Sequence, residues 1–182
     1  MAYIPLILVV LLVAWFVAAY NKLVRFRNQI QNAWHQIDVQ LKRRYDLIPN
    51  LVEVVKDYMA YEQETLTKVI EARGAALSAK GPAAQAKAEG ILTETLKSLF
   101  AVVEKYPELK ANQNVASLQE ELTGTENKIS FARQFYNDSV MTYNNAIQSI
   151  PTNFVASLFH FVQEAYFETE PESRAVPQAN LR

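Results

Sequence analysis

Between residues 115 and 150 a stripe of apolar, small and tyrosine side chains recurs at alternating spacings of three and four without a slip. It runs through Val115, Leu118, Leu122, Thr125, Ile129, Ala132, Tyr136, Ser139, Tyr143, Ala146 and Ile150. Only an α-helix gathers such positions on one stripe. Sustained over this length, the pattern implies a left-handed bundle or coiled coil. Thr125, Ser139 and the tyrosines are soft or polar for a two-stranded zipper. Phe131, Phe135, Val140 and Ile147 widen the stripe beyond a two-helix seam. Both features favour a four-helix bundle in which this helix touches two neighbours. Gly124 inside it costs ~1 kcal/mol relative to alanine, so a close backbone approach is the expected compensation.

The N-terminus obeys a different rule. Residues 2–20, AYIPLILVVLLVAWFVAAY, carry no charge. At ~1.5 Å per residue they span roughly 28 Å, close to the ~30 Å hydrocarbon core of a bilayer. A core helix would show a polar face, and this one has none. A cleaved signal peptide would explain the small residues Val17, Ala18 and Ala19, but the basic region that precedes such a peptide's apolar run is missing. A retained membrane anchor is the expectation. Lys22, Arg25 and Arg27 follow the run at once and no Lys or Arg precedes it. The positive-inside rule then puts the N-terminus outside and the remaining chain in the cytoplasm, with a periplasmic placement as the alternative.

From Asn21 the chain runs without glycine or proline to Pro49. Ile30, Trp34, Ile37, Leu41, Ile48, Leu51, Val55 and Tyr58 keep helical spacing, and Arg44 falls into this seam, as does Glu62 beyond it. Pro49 lacks a donor and disfavours helix at Ile48, so a tight helix–helix turn is expected there, with a kinked continuous helix as the alternative. If the chain turns at Pro49, Arg44 and Glu62 could face each other across the hairpin. A second helix runs to about residue 79 and stops at Lys80-Gly81-Pro82. A third covers about residues 83–105 and buries Leu92, Leu96, Leu99 and Val103. After Ile150-Pro151, residues 154–167 read as a short aromatic helix, and residues 168–182 as a disordered tail. The expected fold is therefore all-α: an anchor over residues 1–21, then an antiparallel up-and-down four-helix bundle with an extra C-terminal aromatic helix over residues 22–167.

Composition excludes several function classes. Cysteine is absent, which rules out disulfides and thiolate metal sites. A formal net charge of −1 gives no case for nucleic acid. Four glycines in the chain argue against a phosphate cradle. Di-iron bundles need Glu-x-x-His, but Asn32 and Ser157 stand three residues before His35 and His160. No nucleophile–base set is readable, and neither a metal nor another cofactor is expected.

The polar residues of the first long helix, Asn28, Asp38, Arg43, Arg44, Asp46 and Asn50, together with Trp34, Pro49, Glu62, Glu120, Glu126 and Arg133, admit two readings. They pair internally and set the register of the bundle, or they line a groove for a ligand or partner helix. Bundles commonly use polar seam residues for register, which favours the first. Tyr136-Asn137 and Tyr143-Asn144, one heptad apart, either pin the register or read a partner's backbone. The aromatic residues Phe154, Phe159, Phe161, Tyr166 and Phe167 cap the bundle, contact a partner subunit, or lie on the membrane. The missing Lys and Arg make the membrane reading the weakest of the three.

Several of these stretches resemble the LemA family. They include Arg27-Asn28, Ala33-Trp34, the run from Ile37-Asp38-Val39-Gln40-Leu41 through Lys42-Arg43-Arg44-x-Asp46-Leu47-Ile48-Pro49-Asn50-Leu51-Val52, and Glu71-Ala72-Arg73. Tyr106-Pro107, Glu126-Asn127-Lys128-Ile129, Ala132-Arg133-x-x-Tyr136-Asn137 and Tyr143-Asn144 belong to the same pattern. The resemblance implies a short external N-terminal segment, one membrane helix and a helical-bundle domain, and it supplies no catalytic residues. The expected role is a binding or scaffold protein anchored in the bacterial inner membrane, touching lipid through residues 2–20 and a protein partner or its own copies elsewhere. A homo-oligomeric membrane-organising protein is the first alternative, and a small-ligand sensor or enzyme the second.

Overall fold

A computed structural model describes residues 3–59 and 61–168. It has six helices among these residues and no strand: α1 (Tyr3–Val55), α2 (Gln63–Ser78), α3 (Pro82–Val103), α4 (Pro107–Ala111), α5 (Gln113–Gln148) and α6 (Thr152–Leu158). The expected disordered tail lies outside the described residues except for Glu168.

The chain divides into two compact units. Of the described residues, the first comprises 3–38 and 130–166, and the second 39–59 and 61–129 with 167–168. Helices α1 and α5 each contribute to both.

In the first unit, residues 3–17 of α1 are exposed almost throughout; Leu6, Val9 and Leu12 each present more than half their surface. This is the single helix among the described residues that is long and apolar enough to cross a membrane. Beyond it, Leu23, Ile30, Ala33 and Ile37 of α1 are buried, as are Tyr136, Val140 and Tyr143 of α5. Trp34 meets Tyr136 edge-on at 5.5 Å between ring centroids, and Gln29 Nε2 donates to Ser139 Oγ at 3.4 Å. Ser139 itself donates to the carbonyl of Phe135, the usual way a buried hydroxyl is satisfied inside a helix.

In the second unit, the seam of α1 continues through Leu41, Ile48, Leu51 and Val55, all buried. Helices α2 and α3 pack against each other, burying Leu66, Val69 and Ala76 of one and Leu92, Leu96 and Leu99 of the other. Gly81, at φ 83°, takes the left-handed backbone that a side chain resists, and Pro82 opens α3 immediately after it. Asn112 caps α5 by accepting from the amides of Asn114 at 2.9 Å and Val115 at 3.4 Å.

Four expectations are corrected. The chain does not turn at Pro49, which lies inside α1. It turns between Val55, where α1 ends, and Gln63, where α2 begins, near Met59, whose side chain is fully buried. The aromatic helix does not reach residue 167. It ends at Leu158 in a Schellman motif: Phe161 N–H bonds to the carbonyl of Ala156 and His160 N–H to that of Ser157, with His160 left-handed at φ 54°. Gly124 has no neighbour within 4 Å of where a Cβ would stand, so no close approach explains it. Phe131 and Phe135 do not widen the buried stripe; they are 73% and 41% exposed.

Candidate functional site

The densest polar cluster lies in the second unit and is centred on Arg44, which is 3% exposed. The helical seam of α1 puts Arg44 between Leu41 and Ile48, so its guanidinium enters an apolar interior and must find partners there. Its Nη1 lies 3.1 Å from Glu89 Oε2 and 2.8 Å from Glu126 Oε2. Its Nη2 donates to Thr93 Oγ1 at 2.9 Å. Glu89 is as deeply buried as Arg44, whereas Glu126 remains partly open to solvent.

The second oxygen of Glu89 accepts a hydrogen bond from the Tyr45 hydroxyl. Gln85 Nε2 closes the group, with Tyr45 Oη at 2.8 Å, Glu89 Oε1 at 3.1 Å and the carbonyl of Ala76 at 3.1 Å. Burial pushes the Glu89 carboxyl above the usual range. The hydrogen bond from Tyr45, the charge of Arg44 and the hydrogen bond from Gln85 oppose that push without overcoming it, and the nearby charge of Glu126 adds to it. The Tyr45 phenol is driven up as well, first by burial and then by its bond to the carboxylate.

One backbone group joins this cluster. A residue at position 49 would normally donate its N–H to the carbonyl of Tyr45, four residues earlier. Proline has no N–H to give. Arg73 Nε from α2 donates to that carbonyl instead, at 2.8 Å. The Ile48-Pro49 dipeptide is therefore compatible with a continuous helix: the acceptor it releases is satisfied from a neighbouring helix, and Pro49 itself lies on the exposed side.

The other expected residues fall elsewhere. Arg43 is exposed and makes a surface ion pair with Glu121 at 3.3 Å, while Asn28, Asp38, Asp46 and Asn50 are exposed on α1. Glu62 is half-buried at the start of α2. With no turn at Pro49, the imagined Arg44–Glu62 pairing does not form; Glu89 and Glu126 take that place. Arg133 and Asn137 are half-buried on α5.

A second polar group belongs to the first unit. Asn144 Nδ2 donates to the carbonyl of Glu164 and its Oδ1 accepts from the Glu164 amide, both at 3.0 Å. Tyr136 Oη donates to the carbonyl of Ala165 at 2.9 Å. These side chains of α5 hold the chain's own non-helical segment after α6. Burial, with the charge of Glu164, pushes the Tyr136 phenol up to about 12, and the same two causes raise Tyr143 against an opposing pull from Arg27. Of the expected partner surface, Phe154, Phe159 and Tyr166 are exposed and Phe161 is partly so, but Phe167 is fully buried and offers no surface.

Glu89, Gln85 and Tyr45 are absent from the expected set. A signal for two of them exists: counting back from Leu96 and Leu92 by three and four reaches Glu89 and then Gln85, both in the seam of α3.

Helices without strands among the described residues, with an exposed apolar N-terminal stretch, define a membrane-associated helical protein. The chain belongs to the LemA family, whose family model matches residues 33–180. It is 28% identical to "Protein LemA" of Metamycoplasma hominis over 171 residues, which is 92% of this chain and 77% of that one. It is 25% identical to "Magnetosome protein MamQ 1" of Paramagnetospirillum magneticum over 189 residues, covering 90% of this chain and 70% of the relative. A MamQ of Magnetospirillum gryphiswaldense is 25% identical over 84% of this chain and 65% of its own length. None of these names denotes an enzyme.

Proposed function

We propose that the chain is a bacterial inner-membrane protein, anchored by α1, whose cytoplasmic helices form an up-and-down four-helix bundle that serves as a binding or scaffold module without catalysis. The observation that carries this reading is the saturation of Arg44. Its guanidinium is shared among Glu89, Glu126 and Thr93, and the far side of Glu89 is occupied by Tyr45 and Gln85. A group so engaged stabilises a register and is ill suited to receive a substrate. Among the accessible surfaces of the second unit is the stripe Val39, Arg43, Asp46 and Asn50, spaced four, three and four on α1 and exposed throughout. This stripe is the surface offered to a partner protein.

Photo-crosslinking from position 50 in intact membranes, followed by mass spectrometry, tests the reading. A discrete partner, lost when Arg43 and Asp46 are replaced by residues of opposite charge, supports it. Only lipid or random adducts would count against it.

Self-association is the second reading. Phe131 and Phe135, one turn apart on α5, expose 73% and 41% of their surface. An assembly that survives dilution in detergent and is abolished by Phe131→Ser would favour a homo-oligomeric membrane-organising role.

A further inference from the structure

Residues 150–162, IPTNFVASLFHFV, contain no Asp, Glu, Lys or Arg. The stretch presents Ile150, Phe154, Leu158 and Val162 to the outside at 63–80% exposure. Phe154 and Leu158 lie one turn apart on one face of α6. Exposed apolar residues scattered singly are ordinary, but a cluster of this kind marks a contact surface.

Its place in the first unit says what the contact is. The ring of Phe159 packs against Phe16 at 5.9 Å and against Tyr20 at 4.7 Å between centroids, and Phe161 meets Tyr20 at 5.8 Å. Phe16 and Tyr20 are the last aromatic residues of the uncharged run, just ahead of Lys22. Whatever depth that end of α1 occupies in a bilayer, Phe159 shares it.

We propose that residues 150–162 form an interfacial membrane element, a second attachment that lies in the leaflet boundary where α1 leaves the bilayer. The proposal rests on the reading of α1 as a membrane anchor. It does not depend on which side of the membrane the boundary faces. Interfacial helices normally carry their own lysines and arginines. Here Lys22, Arg25 and Arg27 of α1, all exposed beside the same boundary, supply the attraction to anionic headgroups. The aromatic side chains suit the zone between hydrocarbon and water. The Schellman ending at His160 stops the helix after two turns, and Asn144 and Tyr136 hold the backbone of Glu164 and Ala165 beyond it.

Because the chain lacks cysteine, single reporters can be placed at will. Full-length Val10→Cys, Phe154→Cys, Val162→Cys and Tyr61→Cys variants, each carrying an environment-sensitive fluorophore, are reconstituted in vesicles of equal parts phosphatidylcholine and phosphatidylglycerol. Nitroxide lipids quench either near the headgroup or at the acyl-chain end. The proposal expects blue-shifted emission at positions 154 and 162, with loss of most of the signal to the headgroup nitroxide. It expects quenching at Val10 by the deep nitroxide and none at Tyr61, which is 97% exposed. Water-like, unquenched emission at both 154 and 162, with Val10 quenched, overturns the proposal and leaves the anchor standing. Blue-shifted but unquenched emission at these positions, with disulfide formation between copies of the same variants left unlabelled, overturns it in favour of self-contact. An unquenched Val10 removes the anchor and this proposal with it.

Discussion

A single guanidinium decides much of the second unit's stability. Arg44→Met keeps the bulk but leaves Glu89 buried without its cation, and breaking a pair of this kind costs roughly 3–5 kcal/mol. The loss should show as a lower midpoint in chemical unfolding. Glu89 already holds its proton more tightly than an ordinary glutamate, and without Arg44 it will hold it more tightly still. The folded variant then binds more protons than the unfolded chain above the ordinary glutamate range. Its stability falls as pH rises there, and its deficit against wild type shrinks on acidification. Adding Glu89→Leu should recover part of the loss, since Glu126 can turn to solvent. A melting temperature indistinguishable from wild type would refute the buried pairing. Tyr136 makes a separate prediction at the alkaline end. Its phenol is held at about 12 rather than 10.0, so its stabilisation is complete below the ordinary value and is lost as pH climbs through the folded one. A shift of that size corresponds to at most about 3 kcal/mol withdrawn across the window. Tyr136→Phe should start about 1 kcal/mol lower, for the lost bond to Ala165, and show a flatter alkaline decline in denaturant titrations.

At the scale of helices, Pro49 and Arg73 act as a pair. Helix interiors reject proline at a cost of ~3 kcal/mol, partly because a carbonyl loses its donor. Arg73 supplies a charged donor to that same carbonyl, a bond worth about 1.5–3 kcal/mol. Arg73→Ala should therefore destabilise the wild-type chain by an amount in that range. In a Pro49→Ala background the restored N–H takes the carbonyl, and the same change should cost less than ~1 kcal/mol. A double-mutant cycle measures the difference, and additivity would show that the two residues are uncoupled. This pair also shows where sequence reasoning stops. Periodicity alone places Arg44 in a seam, because the three-and-four spacing continues through it. The same spacing continues through Pro49, yet proline chemistry favours a break; what keeps the helix intact is a donor from a helix distant in sequence. The true turn, between α1 and α2, has no glycine or proline in its sequence and holds the buried Met59, which no local rule announces. Glu89 was legible only by extending the leucine seam of α3 backwards. The end of α6 depends on His160 entering the left-handed region, which is uncommon for any residue but glycine even though histidine is among those enriched there.

For the whole molecule, the placement of charge around α1 matters more than its overall sum. The formal net charge is −1, yet three cations, Lys22, Arg25 and Arg27, follow the apolar run within one residue of its end and through the next two turns, and none precedes it. Translocating those cations is opposed by the positive-inside bias. The second unit should therefore face the cytoplasm. Tyr61→Cys offers a direct test, because position 61 is 97% exposed and the chain has no other thiol. In intact cells a membrane-impermeant maleimide should leave this variant unlabelled and should label it fully once the membrane is opened. Replacing Lys22, Arg25 and Arg27 together with glutamine removes the asymmetry and should yield a mixed population, part of it labelled before lysis. Full labelling of the Tyr61→Cys variant in intact cells would reverse the orientation, while the depth shared by Phe16, Tyr20 and Phe159 would stand unchanged, since it follows from ring contacts within one unit and not from the direction of the helix.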